Sequence, residues 1–70
     1  MPVTKKPIAE ETTPDGLRVR CFTGRTEYTV IIGDKDFEDP DADAWEFPKA
    51  FGVAGSMAQA LINHKREQTK

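Results

Sequence analysis

Residues 17–32 have the pattern of two β-strands: residues 17–23 alternate with the period of two that is typical of half-buried strands, and residues 26–32 are rich in β-branched and aromatic residues. Gly24-Arg25 divides this stretch, and a two-residue loop that begins with Gly suits a type II′ hairpin turn. Because directly opposed residues share a face of the sheet, that loop predicts a single apolar face. The pairs it predicts are Thr23 with Thr26, Cys21 with Tyr28, Val19 with Val30, and Leu17 with Ile32.

Residues on either side of this hairpin extend the predicted sheet and add a helix. Residues 8–13 predict a further strand, which Pro14-Asp15-Gly16 joins to the hairpin by a tight turn. Residues 45–47 fit either a single turn or a short edge strand. Beyond Pro48 the apolar residues recur at helical spacing. The helix begins either near Pro48 or at Ser56, where a capping-box pattern occurs.

Together these elements predict an α+β domain in which a three-stranded antiparallel β-meander packs one face on one C-terminal α-helix (βββα). We expect residues 1–7 to form a mobile tail, 8–66 the single domain with an acidic loop at 34–46, and 67–70 a frayed terminus. The predicted core joins the apolar face of the hairpin to one face of the helix. Its members are Leu17, Val19, Cys21, Tyr28, Val30, Ile32, Phe51, Ala54, Met57, Ala58, Leu61 and Ile62.

Composition narrows the chemistry that such a domain can perform. With 70 residues there is little room for a deep pocket and its supporting shell, so we expect no enzyme and no cofactor. One cysteine and one histidine exclude an internal disulfide and a zinc site built from these residue types alone. A small domain without disulfides is typical of the reducing cytoplasm, so we expect a cytoplasmic protein. No apolar run is long enough to span a bilayer, and we expect no membrane partner.

The acidic loop is the main irregularity of charge in a chain whose net charge is -2. Residues 34–46 hold seven carboxylates and only one cation, Lys35. An EF-hand loop needs Gly at its sixth position and Glu at its twelfth, and frames that start at Asp34 or Asp39 have neither. We therefore expect a solvated loop without a specific metal site.

Two surfaces are candidates for contact with a partner. The first is the hairpin face opposite the helix, where Arg and aromatic side chains resemble a protein interface; alternatively, the first strand or the acidic loop covers it. The second is the acidic loop, whose aromatic residues either contact a basic partner or anchor the loop to the core. The predicted contact residues are Arg18, Arg20, Phe22, Ile31, Asp39, Asp41, Asp43 and Trp45.

These features favour a small non-catalytic interaction protein that binds and modulates, for example by inhibition, another macromolecule. The partner we expect is another protein, and homo-oligomers stay open. A phage or mobile-element origin would suit the small size. The alternative is a nucleic-acid-binding domain that uses the Arg-bearing sheet face, although the sequence pI of about 5.3 lacks the basic character expected of that class.

Overall fold

The computed structural model describes residues 6–36 and 38–68, and it has the predicted α+β architecture with four strands instead of three. The elements are β1 Ala9–Thr12, β2 Arg18–Thr23, β3 Glu27–Ile32, β4 Asp43–Pro48, a 3-10 turn Lys49–Phe51 and α1 Gly52–Gln68. The sheet is an antiparallel meander in the order β1-β2-β3-β4. The fourth strand contains residues 45–47, so the edge-strand alternative is correct.

The central hairpin keeps its predicted faces but not its predicted pairing. Val19 lies opposite Ile32 and Cys21 opposite Val30, a shift of two residues from the expected register. The turn lies one residue later than expected, because the Gly24 amide donates to the Glu27 carbonyl at 2.8 Å. Gly24 lacks the positive φ that a type II′ turn requires, so that turn assignment is wrong. A shift of two preserves the side-chain alternation, and the apolar face survives.

Helix α1 covers the apolar face, but with a different side from the one predicted. Its buried residues are Ser56, Met57 and Ala60, with Val53 and Leu61 packed partly against them. The buried face therefore lies about one residue, or 100°, around the axis from the predicted one. Ser56 is tolerated inside because its hydroxyl donates to the Gly52 carbonyl at 2.7 Å. Ser56 is not the start of the helix, and neither is Pro48: a 3-10 turn follows Pro48, and α1 begins at Gly52, between the two predicted starts.

The rotation of α1 removes four residues from the predicted core. Phe51 and Ile62 are 49% and 47% exposed, and Ala54 and Ala58 are also exposed. The remaining members behave as expected: Val19, Cys21, Val30, Ile32 and Met57 are buried, and Leu17, Tyr28 and Leu61 are half-buried.

The face of the sheet that points away from α1 is also largely buried along its two central strands. Ile31 is fully buried and Phe22 is 2% exposed, although neither belongs to the cluster beneath α1. Of the two interpretations of this face, an open contact surface or a face covered by another segment of the chain, the structure supports the second. Gly33, with a φ of 110°, turns the chain at the end of β3 in a conformation that favours glycine. The segment that follows returns over the sheet towards Arg20.

Candidate functional site

Arg20 lies under the acidic loop and holds its first residues in place. Its side chain extends from the middle of β2 on the face opposite α1, and the residue is 8% exposed. One terminal nitrogen, Nη2, donates to the carbonyl of Gly33 at 3.0 Å and to that of Lys35. The guanidinium carbon also lies 5.9 Å from the centre of the Phe22 ring. Arg20 therefore organises the loop, and its burial leaves little surface for direct contact with a partner.

Arg18 stays exposed at the start of the same strand, where two carboxylates neutralise it. Its Nε lies 2.6 Å from Glu10 of β1, and its Nη1 lies 3.4 Å from Asp34. The hydrogen bond with Glu10 is the main cause that raises the pKa of Arg18 above its ordinary value. The predicted contact face thus contains one buried and one ion-paired arginine, together with the buried Phe22 and Ile31.

The acidic segment beyond β3 is exposed and locally ordered. Its backbone forms successive turns, with Asp39 N donating to Asp36 O and Ala42 N to Asp39 O, both at 3.0 Å. The Asp39 carboxylate also accepts from the backbone amide of Asp41 at 2.8 Å. Within residues 6–36 and 38–68, Asp36, Glu38 and Asp41 have no ion-pair partner. The segment therefore presents negative charge at one end of the molecule.

The last two predicted contacts, Asp43 and Trp45, belong to β4 and face the helix side. Asp43 Oδ2 is hydrogen-bonded to His64 Nδ1, which ties the beginning of β4 to the C-terminal half of α1. His64 is thus half-buried and paired, whereas the sequence pattern predicted a solvated helix residue. Trp45 packs against the core, and its indole nitrogen is buried without an acceptor among the described residues. Asp43 and Trp45 therefore hold β4 against α1 and the core, and they contribute little to a surface that a partner could reach.

A surface that sequence reasoning missed lies on the solvent side of α1. We define the outer face of α1 as five exposed residues, which are Ala54, Gly55, Ala58 and Ile62 of α1 together with Phe51, the last residue of the preceding 3-10 turn. No Asp, Glu, Lys or Arg occurs between Lys49 and Lys65, and the polar side chains of that stretch are buried or half-buried. The sequence signal for this surface was the uncharged run. The predicted core wrongly included its outward-facing residues, so the surface was not recognised from the sequence.

Side-chain contacts join the base of the outer face to the sheet. The Phe51 ring packs on buried Phe47, with ring centres 5.5 Å apart. Beside it, Lys49 Nζ donates to Thr23 Oγ1 at 2.6 Å and lies 4.6 Å from the centre of the Tyr28 ring. The N-terminal end of α1 is therefore fixed at the hairpin end of the molecule, and its C-terminal half lies near the acidic segment through the contact between His64 and Asp43.

Other chemistry-bearing groups do not combine into a reactive site. Cys21 is fully buried in mid-sheet, and this burial raises the pKa of its thiol. In residues 6–36 and 38–68, no three His, Cys, Asp or Glu side chains lie close enough to hold a metal ion. No helix in that part of the chain is long and apolar enough to cross a membrane. Comparison of the chain with protein-family models, curated proteins and solved structures found no match.

Proposed function

We propose that this chain is a small non-catalytic interaction protein that binds and modulates another protein molecule, and that the outer face of α1 is its docking surface. The observation that carries this proposal is the exposure of an apolar, uncharged helix face in a small domain. A surface helix normally turns charged side chains to water, and a helix that is apolar on all sides is normally buried. A partner would supply the missing cover.

From Gly52 to His64, the polarity of α1 is opposite to that of an ordinary surface helix. Its polar residues Ser56, Asn63 and His64 are buried or half-buried, and each is held by a hydrogen bond within the domain. The solvent side carries the two large exposed side chains of Phe51 and Ile62. Large apolar groups around a desolvated centre are where binding energy concentrates in protein interfaces. This arrangement supports docking by a packed apolar contact.

The acidic segment supports a second contribution to binding, which is electrostatic steering of the partner as it approaches. Asp36, Glu38 and Asp41 are exposed charges on an ordered loop, and exposed charges accelerate association with a partner of opposite sign more than they tighten the complex. We therefore propose that the partner carries basic residues next to its docking site. The same charges repel nucleic acid, and Arg18 and Arg20 are already engaged within the domain. These observations favour a protein partner.

The test is a charged substitution in the centre of the outer face of α1, compared with the same substitution on the opposite side of the sheet. Ala58→Lys adds a charge at an exposed helical position, where Lys is a good helix former. Ala44→Lys adds the same charge at an exposed position of β4, next to Glu46 on the other sheet face. Both variants should fold.

The partner is first recovered with tagged wild-type protein from the native host and then purified for calorimetry. We expect Ala58→Lys to raise its Kd at least about tenfold, since a charge would be buried in an apolar contact, and Ala44→Lys to leave Kd unchanged. Equal binding of both variants would refute the proposed surface. Failure of the wild type to retain any protein more strongly than Ala58→Lys would do the same.

A further inference from the structure

The outer side of β1 carries backbone groups that no other described strand uses. β1 lies at one edge of the four-stranded sheet and, among the described residues, it pairs only with β2. The Thr13 amide donates to the Leu17 carbonyl at 2.8 Å, and these two residues continue the register of β1 on β2. Opposed residues of an antiparallel pair alternate between hydrogen-bonded and non-hydrogen-bonded positions. The amides and carbonyls of Glu10 and Thr12 therefore point away from β2, and such a row of groups is a template for another strand.

The second edge of the sheet, formed by β4, offers less room for an added strand. Helix α1 packs mainly on β2, β3 and β4, and the 3-10 turn follows β4 directly. Pro48, the last residue of β4, has no amide to donate. In contrast, Glu10, Glu11 and Thr12 are all exposed, so a strand added beside β1 would find open surface on both faces of the sheet.

The side chains of β1 suit a segment that is basic and partly apolar. Glu11 is exposed and has no ion-pair partner within the part of the chain that the structure describes. A lysine or arginine opposite Glu11 would form a favourable cross-strand pair. Ile8, which directly precedes β1, is 48% exposed, and an apolar side chain beside it would remove this surface from water. Glu10 is already joined to Arg18 at 2.6 Å, which ties β1 to β2.

We propose that the outer edge of β1 binds an extended segment of another protein as a fifth strand, with a basic residue opposite Glu11 and an apolar residue beside Ile8. Main-chain hydrogen bonds provide the affinity of such strand addition, and side chains provide its specificity. This edge is separate from the outer face of α1, so the inference goes beyond the proposed function. Because one short strand buries little area, we expect a Kd on the order of 1 mM for an isolated peptide.

Charge selects a basic partner over a second copy of this chain. The antiparallel pairing that uses the outward groups of Glu10 and Thr12 in both copies places the two Glu11 side chains directly opposite each other. Like charges at directly opposed positions destabilise a pair of strands. A segment with lysine or arginine at that position replaces this repulsion by attraction.

The test is a titration of the isotope-labelled full chain with a capped heptapeptide of alternating lysine and valine, to about 5 mM, in which nuclear magnetic resonance measures amide exchange with water. We expect exchange at Glu10 and Thr12 to slow at least about threefold, because their amides gain acceptors. The Glu11 amide already points towards β2 and should change less. A matched heptapeptide of alternating glutamate and valine should bind at least about threefold more weakly, since Glu11 repels it. Unchanged exchange at Glu10 and Thr12, or equal binding of the two peptides, overturns the proposal.

Matched proline variants identify the edge that the peptide uses. Thr12→Pro removes an outward amide of β1, and Ala44→Pro does the same on β4. The position of Ala44 follows from the Gly33 amide, which donates to the Arg18 carbonyl at 2.7 Å. By alternation, the backbone of Ile31 points to β2 and that of its partner Ala44 points outward. Proline is tolerated at such edge positions.

We expect Thr12→Pro to weaken binding of the lysine peptide at least about fivefold, and Ala44→Pro to leave it unchanged. The opposite result would place the peptide on β4 and refute the β1 edge. Glu11→Lys tests the same edge without changing the backbone, and it remains informative if Thr12→Pro fails to fold. It should bind the glutamate peptide more tightly than the lysine peptide, and an unchanged preference would contradict the proposal.

Ala58→Lys separates this inference from the proposed function. It should bind the lysine peptide as the wild type does, and loss of peptide binding would place the peptide on α1 and overturn the inference. If Ala58→Lys also keeps a recovered partner, the docking surface on α1 fails and the β1 edge stands. Slower exchange at Glu10 and Thr12 with rising chain concentration, in the absence of peptide, would show a second copy at this edge and refute the basic partner.

Discussion

Ile31 tests whether the sheet has a second buried face, because the register places it directly opposite Arg20 and away from α1. The residue is fully buried. Ile31→Ala removes three carbon groups, worth about 2.4 kcal/mol at about 0.8 kcal/mol each, and leaves a cavity that raises the cost to about 2.5–4 kcal/mol. An exposed residue on an open face would cost about 0.5 kcal/mol or less. The expected loss of stability for Ile31→Ala is therefore several-fold larger if this face is buried than if it is open.

Total stability decides which variants are measurable. A chain of this length has a free energy of unfolding on the order of 3.5–10 kcal/mol, so that Ile31→Ala could consume most of it. Ile31→Val is the milder companion, with an expected cost of about 0.5–1.5 kcal/mol. Ile62→Ala is the matched control, because Ile62 is 47% exposed on α1 and should cost about 1 kcal/mol or less.

The assay is urea unfolding followed by far-ultraviolet circular dichroism, with the midpoint and the slope m fitted together. We expect the largest loss of unfolding free energy for Ile31→Ala. The loss for Ile31→Val should be smaller, and that for Ile62→Ala should be equal to it or smaller still, with m unchanged in all three variants. A loss for Ile31→Ala no larger than that for Ile62→Ala would show that the face opposite α1 is open. It would then return Arg20, Phe22 and Ile31 to consideration as a contact surface.

Three further predictions concern single residues. Arg20→Ala should cost about 2 kcal/mol or more and should speed amide exchange in residues 33–42, since the carbonyls of Gly33 and Lys35 lose their donor; unchanged exchange would contradict its anchoring role. Because burial raises the pKa of its thiol, Cys21 should react with a thiol reagent at pH 8 at least about a hundredfold more slowly in the native chain than in urea, and equal rates would contradict its burial. Asp41→Lys should slow association with a recovered basic partner about twofold to fivefold at low salt, with Asp15→Lys as the control; an effect on dissociation alone would exclude steering.

Local patterns were sufficient to predict the α+β class and the inward face of the sheet, although the sheet has four strands where three were predicted. Pro14-Asp15-Gly16 forms the expected turn, with a φ of 93° at Gly16, and β1 follows the expected segment. The hairpin faces were correct although the turn was misplaced, because a register shift of two residues leaves alternation intact. The error in pairing arose at Gly24. The prediction assumed that this glycine has the positive φ of a type II′ turn, and in the structure it does not.

On the sheet face, three of the four predicted contact residues (Arg20, Phe22 and Ile31) are buried, and the reason is a long-range contact. The alternation of Arg20 and Phe22 with apolar residues implies only that they face away from α1, not that water reaches them. Burial there depends on the segment after β3 turning back, which Gly33 permits and Arg20 stabilises through backbone carbonyls. Such a contact leaves no periodic signal in the sequence. Asp39 and Asp41, by contrast, lie in the accessible acidic segment as expected.

The misassigned face of α1 has the same origin as the proposed interface. Residues 50–63 are uncharged on every side, so that helical periodicity could not determine which side meets the sheet. Two contacts outside the apolar pattern favour the observed side: within α1, the Ser56 hydroxyl donates to the Gly52 carbonyl and so tolerates burial, and across the sequence His64 is hydrogen-bonded to Asp43. These contacts turn Ala58 and Ile62 outward, at the cost of leaving apolar surface in water. A surface helix typically carries charged residues on its solvent side, and α1 has none there between Lys49 and Lys65, which is the physical reason to expect association through this face.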